Sequence, residues 1–292
     1  MEKIAVLMRT KNSAWVIPQT LTSLFSQENI NFTLYVIDSG STDNTLEICN
    51  EFQHQRIEMK SENYVPGPVL NHAIGEISES IIVLLNSDSV LLSPYSLEKL
   101  IAPLKNNQSI AATVGRQIPR HDAELWVVRD YHQAFPESGP IPEYLTLSFP
   151  LSAIRKNIWS KEKFYEDSWG SEDTEWGKRI VQNGHGKIEY VPAAITMHSH
   201  NYTLKELHNR KFIEGEADYF IYGEKPSLLK SFIRFLLRSF REFKYYLFKL
   251  NLAGLPKIFI RNFIYFLGHY NGLNSAHYRV KNNIKNVVHK TY

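Results

Sequence analysis

A run of five consecutive apolar residues, 81–85, leads directly into the polar sequence Asn86-Ser87-Asp88. Such a run is typical of a strand that is buried on both faces. Ligands of open α/β sheets bind beyond the carboxyl ends of the strands, so these polar residues lie where a ligand is expected. A carboxylate at Asp88 would suit a hard divalent cation, which prefers oxygen ligands. The alternative is that Asp88 only opens the turn before Pro94.

The composition permits one large globular core with an appendage, since the chain has 292 residues and 43% hydrophobic content. The single cysteine, Cys49, excludes an internal disulfide framework and a cysteine-based zinc site, which fits a reducing compartment. The apolar run before Arg9 has only five residues, too few for a signal peptide, and no run approaches the roughly 18 residues of a spanning helix. We therefore expect a cytoplasmic protein or one bound at a cytoplasmic surface.

Charge is distributed unevenly along the chain. Residues 225–292 contain 13 Lys and Arg against one acid, Glu242, for a net charge of +12, whereas residues 1–224 carry −9. This change occurs at the turn-forming residues 223–226 and predicts a domain of residues 1–224 followed by a basic region, 225–292. Nucleic acid or an anionic membrane could bind such a region, and we expect the membrane surface and no nucleic acid.

Strand-like segments alternate with helix-like segments, which predicts an α/β fold with a mostly parallel sheet and helices on both faces. The predicted strands are residues 4–8, 32–37, 57–60, 81–85, 110–114, 145–154, 188–190 and 194–197. The predicted helices begin at Ser13 or Pro18 and then cover residues 45–52, 69–77 and 97–104. Residues 115–144 show little periodicity and are predicted to form a long, partly irregular connection. The glycine patterns of a dinucleotide fingerprint and a P-loop are both missing from the sequence.

Polar residues follow the second predicted strand. Gly40 permits a sharp turn there, and Ser41, Thr42 or Asp43 can cap the next helix. Capping explains Asp38 less well, because Asp38 ends the strand, where it could hydrogen-bond a base or a ribose.

The segment around residue 173 combines acids with aromatic residues. Ser171 can cap a helix whose first turn holds Glu172 and Asp173, and the helix dipole favours acids there without any catalytic role. Trp169 and Trp176, one on each side, could supply faces for a sugar ring, which favours a functional site.

Two histidines, His198 and His200, are separated by one residue at the end of a predicted strand. A lone histidine is usually structural or on the surface, but this pair indicates metal ligands.

These pieces together resemble the family 2 glycosyltransferases of the GT-A fold, and among them the bacterial rhamnosyltransferase-like members. The resemblance covers residues 4–215. Its ordered matches are R-T-K-N at 9–12, V-I-D-S-G-S-T-D at 36–43, N-S-D at 86–88, S-E-D-T-E-W at 171–176 and H-S-H at 198–200. Smaller matches are G-R-Q-I-P at 115–119 and R-K-F-I-E-G at 210–215.

The resemblance implies a donor site at the sheet edge. Thr10, Asp38 and Asn71 would line the nucleoside pocket, and Asn86 would bind ribose. Asp88 falls at the family's D-x-D motif, which implies that it holds Mg²⁺ or Mn²⁺ against the donor diphosphate.

The resemblance also implies the remaining roles. His198 would complete the metal site, with His200 as the other candidate. Asp173 matches the family's catalytic base, and the expected acceptor-binding residues are Trp169, Glu172 and Trp176.

The implied function is an inverting, metal-dependent transfer of a sugar from a nucleotide-sugar donor, with dTDP-rhamnose as the first expectation. The acceptor would be a lipid-linked saccharide for a cell-surface polysaccharide such as O-antigen, at the inner face of the plasma membrane. One alternative is a degenerate GT-A domain that binds nucleotide or glycan without turnover. Another, nucleotidyl transfer, would normally need a glycine-rich phosphate loop, and residues 9–13 contain no glycine.

The basic region is predicted to form amphipathic helices at residues 227–250 and 255–267. One face of the first helix would hold the apolar residues Leu229, Phe232, Ile233, Leu236, Phe240, Phe243 and Leu247. A second stripe would hold Lys230, Arg234, Arg238, Arg241 and Lys244. This pattern favours helices that lie in a membrane interface. The alternative is a helical cap whose apolar face packs on the catalytic domain.

Overall fold

The structure is a computed structural model that describes residues 3–59, 64–143, 145–166 and 170–284. The chain divides into two compact units. The first unit comprises residues 1–123, 127–166 and 172–200, and the second comprises residues 124–126, 167–171 and 201–292. The predicted boundary between residues 224 and 225 is a division by charge and stays a prediction.

Eight strands form one sheet in the described part of the first unit. They are β1 Ile4–Thr10, β2 Phe32–Asp38, β3 Gln55–Arg56, β4 Ile81–Asn86, β5 Val90–Leu91, β6 Ile110–Ile118, β7 Leu151–Arg155 and β8 Lys187–Met197. Their order is β3-β2-β1-β4-β7-β6-β8-β5. The neighbours β3-β2-β1-β4 and β6-β8 pair in parallel, whereas β7 and β5 run antiparallel to their neighbours. The predicted α/β fold with a mostly parallel sheet is confirmed.

Helices cover both faces of this sheet. The described helices up to residue 182 are α1 Ile17–Phe25, α2 Thr45–Cys49, α3 Pro66–Glu76, α4 Ser96–Asn106, α5 Leu125–Ala134, α6 Lys156–Lys161 and α7 Glu172–Gln182. Successive strand residues point to opposite faces, so Val6 packs in the cluster with α1 and α4 while Leu7 packs in the cluster with α3 and α7. The apolar runs of β1 and β4 are therefore buried on both sides.

Several predicted elements differ from the structure. The strand predicted at residues 145–154 is the shorter β7, which begins at Leu151, and the helix predicted at 45–52 is α2, which ends at Cys49. The third strand lies at β3 and not at residues 57–60, of which residue 60 is outside the described part; the Ile57 N–H still donates to the Val36 carbonyl at 2.9 Å. The predicted irregular connection contains the end of β6 and all of α5. The two strands predicted near residues 188–197 form one strand, β8, because pairing with β6 continues across a bulge.

The second unit consists mainly of three helices, α8 Leu204–Tyr222, α9 Leu228–Phe248 and α10 Leu255–Lys281. A capping box between Thr203 and Glu206 begins α8, and Gly223, at a φ of 62°, follows its end. None of the described helices is both long and apolar enough to cross a bilayer.

Glycines allow α8 and α10 to pack with their backbones in contact. A Cβ atom at Gly272 would lie 2.0 Å from the Phe212 carbonyl oxygen, and one at Gly215 would lie 2.2 Å from the His269 carbonyl oxygen. Gly215 is the glycine of the R-K-F-I-E-G match, so this motif has a packing role in the second unit.

We expect Gly272→Ala to lower the free energy of unfolding by about 1–3 kcal/mol, because the added methyl group forces the two helices apart. Urea unfolding followed by circular dichroism measures this change. Gly75→Ala is the matched control, since no atom lies within 4 Å of a Cβ there, and it should stabilise α3 by about 0.5–1 kcal/mol. Equal effects of the two substitutions would contradict the close packing of α8 on α10.

Candidate active site

The carboxyl ends of β1, β2 and β4 meet at one edge of the sheet. In the parallel register, Thr10 pairs with Asp38 and Arg9 pairs with Asn86. The Thr10 side chain is buried, and its hydroxyl makes no hydrogen bond within the described residues. Three of the predicted donor-site residues are therefore neighbours at the edge where ligands of α/β sheets bind.

The carboxylate of Asp38 shapes the turn that follows β2. Its oxygens accept the N–H of Gly40 at 2.9 Å, the N–H of Ser41 at 2.8 Å and the Ser41 hydroxyl at 2.5 Å. Asp43 likewise accepts the N–H groups of Ala14 and Thr45, both at 3.1 Å, but it precedes the N-cap residue of α2, which is Asn44, so it supports the turn and is not the cap. The turn is thus preformed beside the sheet edge.

Asp88, His198 and His200 form a cluster of possible metal ligands. One oxygen of Asp88 lies 3.1 Å from Nε2 of His200 and 3.6 Å from Nε2 of His198. Adjacent ligands of a six-coordinate ion at about 2.1 Å would be about 3 Å apart, so the spacing fits a bound cation. A mixture of one carboxylate and two imidazoles fits a transition metal such as Mn²⁺ better than Mg²⁺, which prefers oxygen ligands.

Neighbouring residues keep the Asp88 carboxyl ionised. Burial raises its pKa, but the hydrogen bond from His200 and the charges of His198, His200 and Arg120 outweigh burial and lower the pKa to about 2. The carboxyl is therefore in the metal-binding form throughout the neutral range.

Arg120 fixes the loop that carries Asp88. Its guanidinium donates to the Asp88 carbonyl at 2.5 Å and lies over the Trp15 ring at 4.9 Å, and its backbone N–H donates to the Ser199 hydroxyl at 2.9 Å. It directly follows the short G-R-Q-I-P match, which was the available sequence signal for this residue.

Two further side chains orient the His198 ring. Its Nδ1 atom lies 3.2 Å from the Gln117 amide oxygen and 3.1 Å from the Tyr131 hydroxyl. Contacts to one ring nitrogen direct the other nitrogen toward a metal, a common arrangement at metal sites. Gln117 and Tyr131 were not predicted from the sequence.

Glu172 and Asp173, the two predicted acids in the first turn of α7, have different environments. Glu172 is buried and accepts a hydrogen bond from Arg9 at 2.9 Å, and the same Arg9 nitrogen donates to Tyr64 at 3.1 Å. Burial opposes the charge of Arg9, but the interactions with Tyr64 and Glu172 raise its pKa. Asp173 is half-buried and accepts the N–H groups of Phe149 at 3.3 Å and Thr174 at 2.8 Å. The ion pair engages Glu172, which was predicted to bind the acceptor, while Asp173 keeps partial solvent access.

The hydrogen bonds of Asn71 are all made within the protein. Its amide nitrogen donates to the Phe164 carbonyl at 2.9 Å and to Glu166 at 3.1 Å, and its amide oxygen accepts from Trp159 and from the Phe164 N–H, both at 3.0 Å. Both donor hydrogens and both acceptor positions are used. This geometry assigns Asn71 to bracing residues 159–166 and corrects the expected contact with the nucleoside.

Trp176, one of the two tryptophans of the acceptor prediction, does not present a face to a sugar ring. Trp176 is fully buried, packs 5.4 Å from the Phe164 ring, and donates its indole N–H to the Glu162 carbonyl at 2.6 Å. The ring therefore belongs to the core, which corrects its expected role. Trp169 lies outside the described residues.

Comparison with known proteins supports an enzymatic site. The family model described as Glycosyl transferase family 2 matches residues 5–165. The O-antigen chain rhamnosyltransferase WbaN of Salmonella anatum is 28% identical over 235 residues, or 73% of this chain and 74% of that protein. The O-antigen chain rhamnosyltransferase RfbN of Salmonella typhimurium is 26% identical over 260 residues, or 81% of this chain and 82% of that protein.

A shorter match involves a lipid-linked acceptor. The Escherichia coli protein named UDP-Glc:alpha-D-GlcNAc-diphosphoundecaprenol beta-1,3-glucosyltransferase WfgD is 29% identical over 108 residues, or 36% of this chain and 43% of that protein.

Solved structures share the fold. The mannosyltransferase PcManGT of Pyrobaculum calidifontis, in complex with GDP-Man and Mn²⁺, aligns with a TM-score of 0.56 at 16% identity. The alignment covers 73% of this chain and 61% of that protein, less than two thirds of its length. The predicted GT-A fold with C-terminal helices is confirmed.

We expect Asp88→Asn to weaken Mn²⁺ binding more than about tenfold, because changes to residues that only support metal ligands already cost 10–100-fold. Calorimetric titration of dTDP, UDP and GDP with and without Mn²⁺ measures the effect. In the unaltered protein, Mn²⁺ should strengthen the binding of one nucleotide, and the variant should lose this increase. Asp122→Asn, an exposed acid-to-amide change, is the control. An unchanged Mn²⁺ dependence in the Asp88 variant would exclude Asp88 as a ligand.

Proposed function

Because the chain belongs to glycosyl transferase family 2 and is a glycosyltransferase, we propose that it is an inverting, metal-dependent enzyme of cell-surface polysaccharide synthesis. The observation that carries the metal dependence is the cluster of Asp88, His198 and His200 beside the edge that holds Thr10 and Asp38. The evidence that the chain transfers a sugar is its membership of this family.

The proposed donor is a nucleotide sugar, with dTDP-rhamnose as the first candidate. Two relatives named as rhamnosyltransferases support this sugar. The buried hydroxyl of Thr10 and the preformed turn at Asp38 would bind the nucleoside, with Asn86 toward the ribose. The nucleotide titration described above would identify the nucleotide, and with it the range of sugars.

The cation would be held by Asp88 with His198 and His200, and it would be Mn²⁺ or Mg²⁺. When bound, it would act as a Lewis acid that neutralises the charge of the leaving diphosphate. A solved neighbour bound to GDP-Man and Mn²⁺ supports a divalent cation at the donor site. Arg120 would hold the Asp88 backbone in place for this contact.

Asp173 is proposed as the general base. Its carboxylate accepts the proton of the acceptor hydroxyl as the hydroxyl oxygen attacks the anomeric carbon from the face opposite the leaving nucleoside diphosphate. The new glycosidic bond forms as the bond to the diphosphate breaks, through an oxocarbenium-like transition state, so one displacement inverts the anomeric centre.

The neighbouring ion pair supports this role of Asp173. Arg9 neutralises Glu172, so the base does not stand beside a second uncompensated carboxylate. Without that pairing, the like charge of Glu172 would disfavour the ionised form of Asp173.

The proposed acceptor is a lipid-linked saccharide. A relative whose printed acceptor is a diphosphoundecaprenol-linked sugar supports this class. Such an acceptor stays in the bilayer, so the enzyme would act as a peripheral protein at the inner face of the plasma membrane.

We expect Asp173→Asn to reduce turnover by about 10²–10⁴-fold while donor binding is retained, because the amide cannot accept the proton. Release of nucleoside diphosphate in the presence of acceptor measures turnover, and calorimetry measures binding.

Glu175→Gln serves as the control, since it lies in the same helix and pairs with Arg179. Unchanged turnover in Asp173→Asn would remove this residue from the mechanism. Donor binding without turnover in the unaltered protein would instead support the degenerate binding domain.

A further inference from the structure

Helix α9 is amphipathic, but its apolar face points to solvent and its polar face is buried. Its apolar side chains point outward: Leu229 is 70% exposed, Phe232 56% and Phe240 60%. Its inward face is polar, with Ser239 and Glu242 fully buried. A helix that packs on a protein core normally presents its apolar stripe inward, so this orientation leaves the apolar stripe without a covering in its own unit.

A network of polar side chains fixes this orientation. Glu242 pairs with Arg238 at 3.2 Å and also with Arg261 of α10. The Asn262 amide donates to Glu242 at 3.0 Å and to the Ser239 hydroxyl at 3.3 Å. Rotating α9 to bury its apolar face would break the contacts of Glu242 with Arg261 and Asn262. A buried charge that loses its partner is strongly unfavourable. Arg238, which was predicted on the second stripe of α9, therefore faces inward.

Exposed apolar side chains also occur on the turn after α9 and on α10. The rings of Phe235 and Phe263 lie 6.2 Å apart, which places the exposed Phe263 of α10 against α9. We call the exposed apolar residues of α9, the turn and the first part of α10 the apolar hairpin surface. Its exposed members are Leu229, Phe232, Ile233, Leu236, Leu237, Phe240, Leu247, Phe248, Leu250, Leu252, Phe259, Ile260 and Phe263. A large group of exposed apolar side chains of this kind indicates an interaction site.

The charges around this surface are mainly positive. Exposed cations border it at Arg241, Lys244, Lys249 and Lys257, and the acid Glu224 just before α9 is paired with Lys230 at 3.1 Å and with Arg234 at 2.5 Å. The only acid in residues 225–292 is Glu242, and it is buried. An apolar face bordered by cations complements an anionic lipid surface. A second copy of the chain would bring like charges together, which disfavours self-association.

We propose that the apolar hairpin surface binds anionic lipid, with α9 and the first part of α10 lying in the membrane interface. The helices lie in the interface without spanning the bilayer, in keeping with the absence of spanning helices among those described. The inference gives the proposed peripheral location a specific surface, and in this respect it rests on the proposed function. The binding itself requires neither donor nor acceptor.

Co-sedimentation of the full chain with phosphatidylcholine vesicles, with and without phosphatidylglycerol, tests the proposal. The protein should bind the anionic vesicles, and added salt should weaken the binding. The double variant Phe232→Ser/Phe240→Ser should lower the partition coefficient about 10²-fold, because two large apolar side chains are lost from the interface. Arg241→Gln/Lys244→Gln should lower it about fivefold for each charge removed, on anionic vesicles only.

A matched control lies near the end of α10, outside this surface. Tyr278 and Val280 are also exposed, and Tyr278→Ser/Val280→Ser should bind vesicles like the unaltered protein. Nucleotide binding, which depends on residues of the first unit, should be unchanged in every variant, so loss of lipid binding is distinguished from failure of the donor site.

Three results would overturn the proposal. The unaltered protein could remain in the supernatant with anionic vesicles, or Phe232→Ser/Phe240→Ser could bind as tightly as the control. Alternatively, sedimentation equilibrium without lipid could show a dimer that this variant disperses, in which case a second copy of the chain covers the surface.

Discussion

The parallel register of β1, β2 and β4 is the constraint on which the candidate site depends. It places Thr10 beside Asp38, and Arg9 beside Asn86, at one edge of the sheet. The strands are buried on both faces, so a shift by one residue would send each side chain to the opposite layer. Core packing therefore also fixes the positions from which the polar residues leave the sheet.

Two long-range contacts complete the site around this edge. The Arg9–Glu172 pair joins the end of β1 to the first turn of α7, and so holds Asp173 near the strand ends. The contact of Arg120 with the Asp88 carbonyl joins the loop after β6 to the loop after β4. Two half-buried cations, Arg9 and Arg120, thus position the proposed base and the loop of the proposed metal ligand Asp88.

Local patterns in the sequence predicted the parts of the site that depend on local structure. Apolar runs that end in Asp38 or Asp88 identify strand ends, and both residues lie at or beside one in the structure. The partner of Glu172 is 163 residues away, so no spacing rule could identify Arg9. Trp176 is a core residue because it is fully buried, and the sequence alone does not reveal that burial. Periodicity likewise found the stripes of α9, but the direction they face depends on the Glu242 network.

The central claim is that Asp88 and the two histidines hold a metal ion against the diphosphate of the donor. Pulsed electron paramagnetic resonance of Mn²⁺ bound with the nucleotide that titrates most tightly tests it directly. The account predicts nitrogen couplings from imidazole and phosphorus couplings from the diphosphate on the same ion, with the nitrogen couplings lost in His198→Ala/His200→Ala. Phosphorus couplings without nitrogen couplings in the unaltered protein would contradict it, since the ion would then be bound to nucleotide away from the histidines.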